Sequence, residues 1–293
     1  MTTATTTPPI TVRDRRFGRN GSRDLAVQRG KARSTTDIVG TAFFTALSLS
    51  FPRGEAMFIE AVKAHREGTP ERLREEIRLF IRQEVNHSRE HLVFNRMAAE
   101  AGYDTATIDA RVERLVQQVY DQPAIVQLAI TMALEHFTAM FAHEFLANPD
   151  SIATDAMEDR ALWLWHAAEE IEHKGVAYDT WLHATRDWSA FKRWSVRSLI
   201  MLRTSVRFLK NRSQDALALL EQDGLTGWRA KAALLRYLVA RPGLLRRVFP
   251  AWLAFFRPGF HPWDVDDRAL IAGYDEGFAR SGFADARMEP AAS

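Results

Sequence analysis

From Asp37 onward, apolar positions recur at helical intervals, and the alternation expected of strands is hard to find. The pattern predicts a first helical stretch over 39–67, broken or kinked at Pro52 and Gly54. Thr69-Pro70-Glu71 reads as a helix start, with a capping hydroxyl, Pro in the first turn and an acid at the positive dipole end. The helix it opens runs to about Ala101 and stops at Gly102. Asp104 or Thr105 caps a shorter helix to Tyr120. Asp121-Gln122-Pro123 opens a third long helix to Ala147, ended by Asn148-Pro149, and a fourth spans 155–185. Four long helices, with a short one between the second and third, is the order of a bundle with one long crossover. Further helices are predicted at 190–210, 226–240, 242–256 and 266–281. The expected organisation is all-α: a flexible basic extension over 1–38, a helical bundle over 39–185, and a basic amphipathic helical extension over 186–293 packed on the bundle.

Charge sharpens this division. The 293-residue chain has a formal net charge of only +2, but carries +5 over 1–50, −10 over 51–185, +11 over 186–257 and −4 over 258–293. In the basic stretch, Lys192, Arg193, Arg197, Arg203, Arg207 and Lys210 fall on one side of a helix. Phe191, Trp194, Met201, Leu202, Phe208 and Leu209 fall on another. Such a stretch could rest on an anionic membrane or an acyl carrier, roof a lipophilic substrate channel, or simply pack on the bundle with its arginines solvated or paired to the acidic module. No nucleic-acid module is recognisable. The apolar runs near Gly40–Pro52 and Gln122–Leu134 fall short of the roughly 18–20 residues of a spanning helix. The Thr/Pro-rich start lacks the apolar core of a signal peptide, so the expected location is cytoplasmic, with the membrane periphery as the variant. Cysteine is absent, which excludes disulfide scaffolds, thiolate zinc sites, iron–sulfur clusters and cysteine nucleophiles. Any metal must be held by His, Asp or Glu.

Acidic and histidine residues embedded in apolar helical runs carry the candidate chemistry. Glu84 and His87 are three apart and share a helix face, with His91 a turn further on. His166, Glu170 and His173 fall close together around the fourth long helix. Glu135 stands alone in the apolar third helix, and Glu55 shares a face with Phe58, Ile59 and Val62. A carboxylate in such a run is costly to bury unless it is paired or bound to metal. Two inward Glu and two Glu-x-x-His pairs are the ligand set of a dinuclear carboxylate site. With 19 Glu and 9 His, chance supplies about half of one Glu-x-x-His, and this chain has two, on different long helices. His91 stands between ligand and supporting roles, and Glu169 competes with Glu170. His136 and His143 are weaker candidates, and His65, His183 and His261 lack partner spacing.

The segments Leu47–Glu55, Gln83-Glu84-Val85-Asn86-His87 to Asn95, Trp165–Lys174 and Gly259–Asp264 resemble the bacterial family called predicted metal-dependent hydrolases, over about residues 39–275. That family is similar to the ferritin-like di-iron carboxylate proteins, which implies a ferritin-like four-helix bundle with a C-terminal helical extension. The His-x3-Glu-x2-His of the fourth helix is also similar to that of di-iron arylamine N-oxygenases. The resemblance implies Glu55, Glu84, His87, Glu135, His166, Glu170 and His173 as ligands of two divalent ions, iron foremost, with manganese or zinc as alternatives. The leading expectation is a di-iron enzyme that takes electrons from a donor and uses O2 to oxidise a hydrophobic small molecule. The alternative is a hydrolase with a metal-activated water, and the second alternative an iron-binding or storage protein. A homodimer is the candidate assembly.

Overall fold

The first predicted helix divides just before Pro52, and Pro52 and Gly54 both fall inside its second part. In the computed structural model, which describes residues 8–17, 35–152 and 157–281, α1 spans Thr35–Ser48 and α2 spans Phe51–Lys63. Pro52 thus falls in the first turn of α2, where its missing N–H has no intrahelical bond to forfeit. The third helix, α3, spans Glu71–Glu100. The Thr69 hydroxyl does not cap it but donates back to the Arg66 carbonyl at 2.7 Å. Gly102 follows α3 with φ of 89°, a left-handed conformation that favours glycine. Asp104 caps α4 (Thr105–Tyr120), accepting from the Thr107 N–H at 3.1 Å, and α5 spans Ala124–Ala147.

The predicted fourth helix is two, α6 (Met157–His173) and α7 (Val176–Ala184). Their junction is fixed from far along the chain. A Cβ on Gly175 would lie 3.1 Å from the Trp263 indole, and the Lys174 ammonium sits 4.1 Å from that ring's centroid while pairing with Asp267 at 2.5 Å. The remaining helices are α8 (Ala190–Gln222), which passes the predicted end at Lys210, α9 (Gly227–Val239), α10 (Leu244–Ala254) and α11 (Arg268–Ser281). No strand occurs among the described residues.

Helices α2, α3, α5 and α6 close a ring of pairwise contacts, α2 on α3, α5 on α6, α2 on α5 and α3 on α6. A second layer covers one side: α1 lies along α8, α9 packs on α1, and α8 and α10 pack on α5. Helix α5 is long and apolar enough to cross a membrane by length and composition, but 61% of that apolar window is buried within the protein. Its place in the ring, with the outer layer packed over its other side, accounts for the composition.

Two expectations are corrected. Residues 8–17 lie extended against α3, α6 and α11, with Ile10, Arg13 and Arg15 buried. This part of the expected flexible extension is therefore anchored, by carboxylates that sequence spacing does not connect to it; residues 1–7 and 18–34 lie outside the described residues. The amphipathic division of α8 also fails near its start, for one residue of each kind. Arg197 is buried and donates to the Arg257 carbonyl at 2.7 Å, whereas Phe191 is 74% exposed.

Candidate metal centre

Each helix of the ring sends acidic or imidazole groups inward. Helix α2 provides Glu55, α3 provides Glu84 and His87, α5 provides Glu135, and α6 provides His166, Glu170 and His173. None of the seven is more than 4% exposed. Ligand atoms fall into three mutually close sets: Glu55, His87 and His166; Glu84, His87 and Glu170; and Glu84, Glu135 and His173. The His173 Nε2 lies 3.2 Å from Glu84 Oε1, 3.4 Å from Glu135 Oε2 and 3.4 Å from Glu170 Oε2. On the other side, the His166 Nε2 lies 2.7 Å from Glu170 Oε1 and 3.8 Å from Glu55 Oε1. Glu170 thus faces both imidazoles with different oxygens, and Glu84 lies between His87 and His173.

The imidazoles are held in defined tautomers by partners behind them. Gln83 donates its amide to the Thr11 carbonyl at 3.1 Å and to Glu172 at 3.0 Å, which fixes its Oε1 toward His173 Nδ1, 2.9 Å away. His173 therefore donates from Nδ1 and turns a bare Nε2 to the carboxylates. His87 donates from Nε2 to Glu169 at 3.1 Å and leaves Nδ1 facing Glu84 and Glu170. A longer relay sets His166. The Asn95 amide donates to the Ser48 carbonyl at 3.1 Å, and its Oδ1 accepts the Ser48 hydroxyl at 2.7 Å. Ser48 Oγ then accepts from His91 Nδ1 at 2.8 Å, and His91 Nε2 accepts from His166 Nδ1 at 2.7 Å. The His166 Nε2 is thereby turned toward the centre, where it hydrogen-bonds Glu170 Oε1 at 2.7 Å with Glu55 Oε1 beyond. Three imidazole nitrogens converge, each ring held from behind by the kind of partner that orients imidazole donors at metal centres. Burial, with neighbouring imidazoles adding to it, holds His166 down at about 4 and His91 well below the usual range, so both rings are neutral at neutral pH.

His91 and Glu169, the two undecided residues of the sequence, thus stand behind the converging atoms, on His166 and His87. Gln83, Ser48, Asn95 and Ser88 lie in the segments that carry the family resemblance, but the sequence assigns them no role. Ser88 donates to Glu55 Oε2 at 2.7 Å. Glu172 points away from the centre and binds the Thr11 N–H and the Arg13 guanidinium at 2.9 and 2.7 Å. His136 bonds the Ala251 carbonyl, and His143 pairs with Asp267 near the surface, so neither joins the cluster.

The donor set is suited to cations. Both oxygens of Glu84 and of Glu135, Oε1 of Glu55, Oε2 of Glu170, Nδ1 of His87 and Nε2 of His173 are buried with no hydrogen-bond partner. Such atoms are rare in native interiors without an ion or water to meet them. Burial first, and then the neighbouring carboxylates, push Glu55, Glu84 and Glu135 well above the ordinary carboxylate range. Glu170 goes the other way, because His173 and His166 outweigh its burial. Divalent ions would let all four carboxylates ionise.

The profile of the family described as predicted metal-dependent hydrolase matches residues 19–266. The chain belongs to this family. No curated protein and no solved structure matches the chain. Membership of the predicted metal-dependent hydrolases accords with the His/Glu cluster as a divalent-metal centre, and it favours the hydrolytic alternative over the oxidative expectation. It identifies no particular metal.

Proposed function

We propose that the protein is a hydrolase that works with two divalent metal ions held by Glu55, Glu84, His87, Glu135, His166, Glu170 and His173. The observation that carries this reading is the convergence of three tautomer-fixed imidazole nitrogens on four buried carboxylates. Glu55, His87 and His166 would hold one ion and Glu84, Glu135 and His173 the other, with Glu170 reaching toward both. When bound, such a pair supplies Lewis acidity: it acidifies water and polarises the bond to be cleaved.

The chain's own groups do the rest. Glu169, His91 and Gln83 hold the outer nitrogen of each imidazole, so the inner nitrogens already point at the centre and ligation requires no reorientation. The rings of Phe51, Trp163 and Trp165 pack around the histidines, with centroids 4.8 Å apart for Phe51 and His166 and 5.0 Å for His87 and Trp165. They exclude bulk water and so strengthen the electrostatics inside.

A second reading is oxidation of an apolar substrate with O2 at two iron ions. It rests on the carboxylate-rich donor set alone, and family membership gives it no support. One experiment separates the two: elemental analysis of the purified chain, then assay of ester, amide and phosphoester panels with Zn(II), Mn(II) or Fe(II), with and without O2. The hydrolase reading expects about two metals per chain and turnover that is lost to chelator and indifferent to O2. Turnover that needs iron, a reductant and O2 would replace it with the oxidative reading. Failure to bind metal after anaerobic reconstitution would remove both.

A further inference from the structure

A cavity of about 310 Å³ lies between α2, α4, α5 and α8. Its inner wall is apolar, with Met57, Phe58 and Val112 buried and Ile130 and Leu134 half-buried. Phe51, Thr138 and Phe208 border it and also a smaller cavity of about 30 Å³, whose far wall includes His166 and Glu170. A single layer of side chains therefore separates the large cavity from a space that touches the centre. The inner space has room for about one water, so a substrate must turn Phe51 or Phe208 aside to reach the ligands.

The outer end has the opposite character. Gln118, Gln122, Arg203 and Arg207 line it and are exposed. No Asp or Glu lines the cavity. Arg212, deeper in this same wall, is matched with an acid, Asp215. Arg203 has no ion-pair partner among the described residues, and Arg207 binds only the neutral amide of Gln118. The two are four apart on α8, so their guanidinium groups share a face at the cavity's rim. Two uncompensated cations at the mouth of an apolar channel favour an anion there and an apolar body within.

We infer that the substrate is an amphiphilic anion. Its carboxylate or phosphate sits on Arg203 and Arg207, its apolar body fills the cavity, and the bond acted on lies at the inner end beside His166 and Glu170. This names the substrate class for the proposed metal centre and rests on that reading, but the binding itself requires no metal.

The test is calorimetric titration of the full chain, in chelator and again with metal, using dodecanoate, dodecyl phosphate and uncharged dodecanol below their micellar concentrations. Both anions are expected to bind more tightly than dodecanol. The double variant Arg203→Gln/Arg207→Gln, changed at exposed positions that leave the core intact, should weaken the anions about tenfold and leave dodecanol unchanged. Ile130→Trp, which fills the channel, should abolish all three. Equal binding of anions and dodecanol, or anion binding indifferent to the double variant, overturns the inference. So does anion binding that survives Ile130→Trp in a folded variant, since it places the ligand on the basic surface. Arginine-dependent binding to a chain that holds no metal would keep the channel and remove the metal reading. A metal-loaded chain without such binding would do the reverse.

Discussion

Glu135 shows at the scale of one residue what the centre costs the fold. It is 2% exposed, and neither of its oxygens has a hydrogen-bond partner. A buried acceptor left unmet costs about 1–3 kcal/mol. Glu135→Leu is therefore expected to stabilise the metal-free chain by about that amount in urea unfolding, and to lower its metal content by elemental analysis. Unchanged metal content would take α5 out of the centre. Gln83→Leu tests the opposite kind of residue, one that binds no metal in our reading but fixes His173. It should weaken metal binding by about 10–100-fold in a competition with a chromophoric chelator, as loss of an orienting partner does. Gln83→Glu, which keeps an acceptor beside Nδ1, should recover part of the loss. The difference in legibility between these two has a physical cause. A lone Glu in Ala124–Leu134 and the following turn is conspicuous because burial of charge is costly. Gln83 is a neutral polar residue whose partners, Thr11, Glu172 and His173, lie 72 to 90 positions away.

At the scale of elements, the anchored segment 8–17 and the approach to α11 act as fastenings on the ring. Arg13 ties this segment to α6 and α11: its backbone N–H donates to Glu169 at 2.7 Å, and its guanidinium to Glu172 at 2.7 Å and to Asp275 at 3.1 Å. Arg13→Ala leaves Glu172 buried with less compensation and should cost about 3 kcal/mol in denaturant unfolding. A loss below about 0.5 kcal/mol would mean the segment adds nothing to stability. Asp267 is a second fastening, pairing His143 of α5 at 2.8 Å and Lys174 at 2.5 Å. The hydrogen bond to Asp267 raises His143 above its ordinary value. Its contribution is thus fully present below about pH 6.5 and is lost as pH rises through the higher folded-state value. His143→Gln should flatten the stability profile from about pH 6 to 8, by less than about 1 kcal/mol because the side chain is 48% exposed. An unaltered profile would show that the pair is not formed in solution. Helix ends were legible where the signal is local, as at Gly102 and Asp104. The α6–α7 junction was not, because Trp263 and Asp267 shape it from nearly a hundred residues downstream.

For the whole molecule, the acidic ring and the basic helices are one packed structure. Arg111 of α4 pairs with Asp215 of α8, and Arg247 of α10 lies 3.1 Å from Glu144 of α5. A ligand that binds only the folded ring stabilises the whole chain. Chelation should therefore lower Tm of the metal-loaded protein. At free metal 100-fold above the dissociation constant the gain is about 2.7 kcal/mol per site. A melting temperature indifferent to chelator would mean that metal does not bind the native state.

The sequence by itself determined the helical class, the order of the long helices and the pool of acidic and imidazole residues that could meet between them, because helical period and the penalty for burying charge are written in local sequence; it left His91 and Glu169 open, and the set of seven was what the family resemblance implied. Tertiary structure alone decided which nitrogen of each histidine faces the centre, that residues 8–17 brace the centre from behind, and where an apolar path with an uncompensated arginine pair reaches the surface. Those features depend on hydrogen bonds and cavity walls between distant positions, and no local pattern of hydrophobicity or charge encodes which distant residues will meet.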